Sequence, residues 1–228
     1  MHLALPQQAI LGSASGIWLD EFVGVGALSA HTPDISGGGY IAVPAIGSPI
    51  DKFNIIAGDK LHYADPPEPS DSSVICPAHT YTGGSYTAVL KVLNKFPTTS
   101  LTANSRMGVL FNSNVGLTEW YAAGYRGDAG VPIIHIWKNG VSLGQTVFGA
   151  PDLVSHDYTF TVTVDGGDIA MNLYNDTLGA NVGTLTRTES AYVNASHSYF
   201  GIYSGSKSFG GNASNRGFWV ERAEVTDL

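Results

Sequence analysis

Hydrophobic and polar positions alternate along this chain in short runs, separated by clusters of Gly, Asn, Asp and Ser. Alternation puts every second side chain on one face of a strand, and the three-to-four-residue spacing of an amphipathic helix is almost absent. The clearest run is Asp157-Tyr-Thr-Phe-Thr-Val-Thr-Val164. Tyr158, Phe160, Val162 and Val164 point one way and Thr159, Thr161 and Thr163 the other, as in a half-buried antiparallel strand. Asp165-Gly-Gly-Asp168 then turns the chain, because glycine accepts the positive φ of a tight hairpin. Ile169, Met171 and Leu173 return along the apolar face.

A second hairpin is predicted from Ile133 to Leu143, with Asn139-Gly140, the strongest short hairpin signal, at its tip. Further strands are predicted at 86–93, 106–112, 119–126, 198–204 and 217–226, and around 17–23, 39–43 and 53–63. Strands in this number with no intervening helices imply an all-β fold of two stacked antiparallel sheets or a closed barrel. Asp65-Pro-Pro-Glu-Pro-Ser-Asp71 is excluded from a central strand because proline lacks the ladder donor. Phe96 to Asn104 also reads as loop. The expected organisation is an N-terminal arm over 1–16, with Leu3, Leu5, Ile10 and Leu11 to pin it, and a single β-sandwich domain over 17–228.

Composition narrows the function classes. Of 228 residues, 43% are hydrophobic and 11% aromatic, enough for a substantial core, while only 13% are charged. Neutral Ser, Thr, Asn and Gly must then cover much of the surface, which suits protein assembly or sugar contact. The net charge of −8 repels phosphates and excludes nucleic acid as a partner. Cys76 is the single cysteine, so no intrachain disulfide forms, and Cys76 with His79 gives two ligands where a metal site needs about four. The first residues carry neither a basic start nor a long apolar run, and no stretch reaches membrane-span length. The expectation is a chain made in a host cytoplasm, with no signal peptide and no membrane insertion. On that expectation the sequons at Asn175, Asn194 and Asn212 are chance matches.

Several features in order resemble the concanavalin A-like lectin/glucanase superfamily, particularly the laminin-G-like modules of bacteriophage structural proteins. They are Asp20-Glu-Phe22, Gly26-Ala-Leu28, His31-Thr-Pro-Asp34, Tyr86 to Leu93, Arg106 to Phe111, Trp120-Tyr121, the 157–175 hairpin, Gly201-Ile-Tyr203 and Gly217 to Arg222. The likeness covers roughly residues 18 to 226 and lies in hydrophobic positions and hairpins rather than a signature motif. It implies a concanavalin A-like jelly roll, a two-sheet antiparallel β-sandwich, and a virion setting.

The superfamily includes glucanases, so the spacing of acids bears on catalysis. Glycoside hydrolysis needs two carboxyl groups about 5–9.5 Å apart, which one strand supplies from positions i and i+2 or i+4. No two acids here are separated by a single residue. Glu221 and Glu224, three apart, face opposite sides of a regular strand, as do adjacent Asp20 and Glu21, and Asp165 and Asp168 lie across a turn. An acid pair from different strands stays open. Gly140-Val-Ser-Leu-Gly144 matches the nucleophile-elbow string but follows a hairpin rather than entering a helix. The seven histidines show no metal-ligand spacing, and Asp165, Asp168, Asn175 and Asp176 form no calcium-loop pattern. No cofactor is expected. Arg126-Gly-Asp128 reads as an incidental match in a loop.

Trp120, Tyr121, Tyr125 and Trp137 fall on neighbouring predicted strands. Aromatic faces stack on sugars and serve protein interfaces, and they also fill cores. Tyr121 and Tyr125 are the candidate carbohydrate- or partner-contact residues. The leading expectation is a non-enzymatic virion structural protein, a capsid decoration or tail component, docking on other virion subunits as a homo-oligomer such as a trimer. The alternatives are a carbohydrate-binding receptor module and a glycan hydrolase.

Overall fold

The computed structural model describes residues 18–34, 40–42, 53–63, 72–75, 84–94, 106–116, 118–128, 131–147, 156–204 and 218–228. The expected arm at 1–16, the proline-rich loop, the 96–104 loop and Cys76 lie outside these residues. Strands are numbered in chain order. The first sheet runs β14 (Ala180–Thr188), β13 (Asp168–Asn175), β12 (Asp157–Asp165), β7 (Ser85–Asn94), β16 (Phe218–Asp227), β5 (Lys60–Tyr63), β4 (Phe53–Ile56) and β2 (Gly26–Ala27), and β1 (Trp18–Asp20) also pairs with β16. The second runs β11 (Val141–Val147), β10 (Val131–Lys138), β9 (Tyr121–Asp128), β8 (Arg106–Ser113), β15 (Tyr199–Ser204), β6 (Ser72–Ile75) and β3 (Ile41–Ala42). Every pairing among the described residues is antiparallel. This is the two-sheet sandwich that the alternating runs predict.

The interlayer core takes the inward side chains of both sheets. Tyr158, Phe160, Val162 and Val164 of β12 are buried, as are Ile169, Met171 and Leu173 of β13, and they meet Phe111, Tyr121, Tyr125, Ile134, Ile136 and Ile202 of the opposite sheet. Departures from the predicted strands have local causes. The run predicted at 17–23 stops at Asp20, because Phe22 takes a φ of 52° and its N–H donates to the Asp20 carboxylate at 2.7 Å, a side-chain-stabilised turn. The run at 53–63 is a hairpin turning at Gly58, φ 89°. β14 has no counterpart among the predicted strands: as an edge strand it buries only Leu185, so its sequence carries no alternation. β6 likewise had no predicted counterpart.

The second sheet is apolar on both faces. Leu110, Trp120, Ala122, Trp137 and Tyr203 form a separate buried cluster on the side facing away from the interlayer core. Neighbours in register explain it. Tyr203, Gly108, Gly124, His135 and Gln145 lie side by side across five strands, and Gly201, Leu110, Ala122, Trp137 and Ser142 form the next row. A Cβ on Gly108 would lie 2.2 Å from the Ala123 carbonyl oxygen, and one on Gly124 would lie 2.1 Å from that of Met107. Small residues in the middle of the sheet leave room for large rings to lean together. Trp137 and Tyr203 have ring centroids 5.3 Å apart, Trp120 and Tyr203 5.3 Å, and His135 stacks on Trp137 at 4.3 Å. On one side of the sandwich the Arg187 Nε–H donates to the Leu143 carbonyl at 2.9 Å, tying edge strand β14 to edge strand β11. That contact occupies part of an otherwise open edge.

Candidate functional site

Three connections meet at one end of the sandwich: β8 to β9, β10 to β11, and β14 to β15. Asn139 and Gly140 both take positive φ, 48° and 78°, the conformation of the tight hairpin that their sequence predicts. The turn also serves as a hub. Asn139 Oδ1 accepts the Trp120 N–H at 2.7 Å, the Asn139 N–H donates to the Trp120 carbonyl at 3.0 Å, and Asn139 Nδ2 donates to the Tyr192 hydroxyl at 2.8 Å. Asn114 Oδ1 accepts the N–H groups of Thr118 and Glu119, which folds the β8–β9 loop on itself. Asn112 uses its Nδ2 to hold the Tyr192 carbonyl at 2.8 Å and accepts the Tyr86 hydroxyl at Oδ1. Asparagine recurs because its amide can replace missing backbone partners and it tolerates the left-handed region.

Tyr192 is the centre of this end. Its ring stacks on His197 at 4.6 Å and 14°, and Lys138 Nζ lies 4.9 Å from its centroid. His197 Nε2 lies 3.0 Å from Glu119 Oε2, and its Nδ1 lies 2.9 Å from Asn194 Oδ1. Lys138 pairs with Glu189 at 3.4 Å. The Ala191 N–H, and then Lys138, hold the Glu189 carboxyl below the usual carboxylate range. Glu119, with a side chain 49% exposed, together with Asn139 and Asn194 presents fixed polar groups to solvent. His197 also lines a small cavity of about 10 Å³ with Tyr86, Asn112, Ser198, Tyr199, Phe200 and Val225, room for about one water.

As direct contact residues, Tyr121 and Tyr125 require correction. They share a face, as expected, but that face is the interlayer core, where they are 0% and 2% exposed. Burial holds both phenols well above the ordinary tyrosine value. Tyr121 acts from below: its hydroxyl accepts the Tyr192 N–H at 3.2 Å and supports the loop. Trp120 and Trp137 belong to the outer aromatic cluster and are 7% and 1% exposed.

The acids are distributed differently from a catalytic pair. The shift in register between Val220 and Arg222 corrects the expectation for Glu221 and Glu224. An extra residue at this bulge brings both to the outer face of the first sheet, where Glu221 pairs with Lys60 and Lys91 and Glu224 with Arg222. Asp157 lies in the same neighbourhood. Burial, then the Glu221 charge, raises its carboxyl above the usual range, the direction a general acid needs. However, these groups stand on an outer sheet face, with Glu221 held by two lysines. Asp20 and Glu21 do face apart. Asp20 is fully buried and accepts the Tyr40 hydroxyl at 2.6 Å and His31 Nε2–H at 2.9 Å, which ties the first segment to the core.

The four calcium candidates do not converge. Asp165 and Asp168 face each other at one end of the β12–β13 hairpin, while Asn175 and Asp176 lie at the other. Asn175 is spent on His156, Tyr158 and the Leu178 N–H. Ser142 lies in strand β11 with its hydroxyl 2.6 Å from His135 Nε2, and the strand continues to Val147 rather than turning into a helix there. Arg126-Gly-Asp128 closes strand β9 instead of standing in a loop.

No family model matches the sequence, and no curated protein matches it. Solved structures do. A module described as CBM2 of the evolved Dit of Lactobacillus casei BL23 phage J-1 superposes with a TM-score of 0.56 at 14% identity, covering 94% of this chain and 91% of that one. The lectin UEA-II in complex with galactose gives 0.62 at 10% identity over 95% and 100%. Basic winged bean lectin with Tn-antigen gives 0.59 at 10% over 92% and 96%. Likeness at such low identity defines the class by fold, a concanavalin A-like jelly roll. Among the described residues the three-loop end is one surface on which polar side chains are gathered.

Proposed function

We propose that this chain is a non-catalytic, lectin-like recognition module that binds saccharide through the loop end around Tyr192. The observation that carries this is the gathering of Glu119, Asn139, Asn194 and His197 from three connections around Tyr192, His197 hydrogen-bonded to Glu119 and Asn194 and Asn139 to the Tyr192 hydroxyl. Sugar hydroxyls need paired donors and acceptors, and a preorganised set lowers the cost of ordering on binding. The likeness in fold to a phage CBM2 module and to a lectin in complex with galactose supports the same direction. The likeness to a phage Dit module supports a place on a virion, beside capsid or tail subunits.

Glycan-array screening of the purified chain tests the proposal. Binding should weaken by about tenfold in Glu119→Ala, which removes a charged hydrogen-bond acceptor. Unchanged glycan binding in that variant would remove the site from consideration. Release of reducing ends from a glucan would replace binding by catalysis.

A second reading, assembly through the first sheet, is favoured by its outer face. Thr226, Thr87, Thr163, Ala170 and Thr186 lie side by side across five strands there. This neutral row, flanked on the same face by the ion pairs of Glu221 and Glu224, would suit docking between virion subunits or copies of this chain. Thr163→Arg should then lower incorporation into particles without unfolding the chain.

A further inference from the structure

We infer that His197 is a proton-operated latch between the β8–β9 and β14–β15 loops, closed in the imidazolium form and loosened when the ring is neutral. The inference rests on the binding end proposed above and adds its regulation.

Hydrogen-bond accounting leads to it. Asn194 Oδ1 also accepts the Ser196 N–H at 3.0 Å, while Asn194 Nδ2 donates to the Ala191 carbonyl at 3.2 Å. A backbone N–H can only donate and a carbonyl only accept, so the amide orientation of Asn194 is fixed. The atom facing His197 Nδ1 is therefore an acceptor, and Nδ1 must carry hydrogen. The atom facing Nε2 is a Glu119 carboxylate oxygen, also an acceptor. Two acceptors on one imidazole require two N–H donors, which only the cation has. A neutral ring can satisfy Asn194 or Glu119 and must turn a lone pair toward the other.

The surroundings agree. Tyr192 offers its ring face to His197, an arrangement that favours a cation. Of the charged groups about that ring, Glu119 bonds to the imidazole directly, while Lys138 lies over Tyr192 and is paired with Glu189. The Tyr121 hydroxyl reaches the same segment through the Tyr192 N–H. The latch spans 78 positions of sequence and joins two loops of the candidate surface. Histidine is the side chain whose charge ordinarily changes between about pH 5 and 8. The sign follows: the doubly bonded clamp is present at lower pH and is lost as the ring deprotonates on raising it.

The test uses the full chain without ligand, so its outcome does not depend on whether a saccharide binds. Nitrogen NMR of the His197 ring should show both nitrogens protonated on the acid side. Amide hydrogen exchange, corrected for the intrinsic pH dependence, should show protection across 189–198 falling about threefold to fivefold from pH 5.5 to 8.5, the range expected for a partly exposed charged pair. Glu119→Gln is the diagnostic variant. A glutamine amide can donate to Nε2, so a neutral Nδ1–H ring satisfies both partners and the protection should become independent of pH. A single protonated nitrogen at pH 5.5, or a pH response in Glu119→Gln equal to that of the parent, would overturn the latch. If the exchange results hold while the glycan array is blank, the latch stands and the saccharide proposal fails.

Discussion

The two sheets show opposite solutions for their outward faces. On the first sheet, β12 reads as strict alternation: Tyr158, Phe160, Val162 and Val164 are buried, while Thr159, Thr161 and Thr163 between them are half-buried. On the second, β8 is buried at seven successive positions, and its outward residues join a second aromatic cluster. A sheet with one wet face needs only an inward set of apolar residues. A sheet covered on both faces must also fit rings together on the outside, and it does so by placing Gly108, Gly124 and Ala122 among Trp137, Tyr203 and Leu110. The first sheet should thus tolerate substitution on its outward face, and the second should not.

Trp137→Ala is the strongest way to break that contrast. Removing a ring 1% exposed that touches both His135 and Tyr203 should cost about 3–5 kcal/mol in a urea melt, as for large-to-small core changes. A loss below about 1 kcal/mol would mean that the outer cluster is surface and not core. Next comes Gly124→Ala. The added methyl would meet the Met107 carbonyl oxygen at 2.1 Å and the Gly108 Cα at 2.5 Å, both backbone atoms that cannot swing aside. Overpacking of this kind costs about 1–3 kcal/mol. Chemical denaturation should place Gly124→Ala between Trp137→Ala and any outward change on the first sheet. Thr161→Ala supplies that control: its side chain faces outward between Phe160 and Val162, and its melt should move by about 0.5 kcal/mol or less.

The same contrast explains what the sequence discloses. The 157–175 hairpin is legible because a polar partner follows each apolar residue, and the observed register, Val162 opposite Met171 and Phe160 opposite Leu173, is the one alternation implies. Tyr121, Tyr125 and Trp137 are correctly read as lying on adjacent strands, while Trp120 stands just before β9. Their faces are ambiguous in sequence because β9 has only Ala and Gly between Tyr121 and Tyr125, and β10 carries large residues on both sides, so period-two patterning loses its meaning. Tyr121 and Tyr125 therefore looked available for contact and are instead interior. The loop end is harder still. Asn139-Gly140 announces a turn, but nothing local to residue 119, 139 or 197 shows that three connections bring them together. Only the strand order does, and strand order depends on long-range pairing.

Asp157 provides the finest test, because it is the point where the outward face of the first sheet departs from tolerance. One of its carboxylate oxygens, Oδ1, is buried with no hydrogen-bond partner among the described residues, and the Glu221 charge acts against it. Both effects raise the folded-state carboxyl above its unfolded value. A carboxyl raised in this way favours the folded chain below the unfolded value and loses that contribution as pH climbs through the raised folded one. Near neutral pH the ionised group is consequently a small liability. Asp157→Asn should stabilise the chain by a few tenths of a kcal/mol at pH 7, a modest gain because much of the group is solvent-screened. The advantage should vanish when the melt is repeated below about pH 4, where the parental carboxyl is itself protonated. If Asp157→Asn is destabilising at both pH values, the carboxylate is making a favourable contact, and the outward face of the first sheet is more specifically built than its threonines suggest.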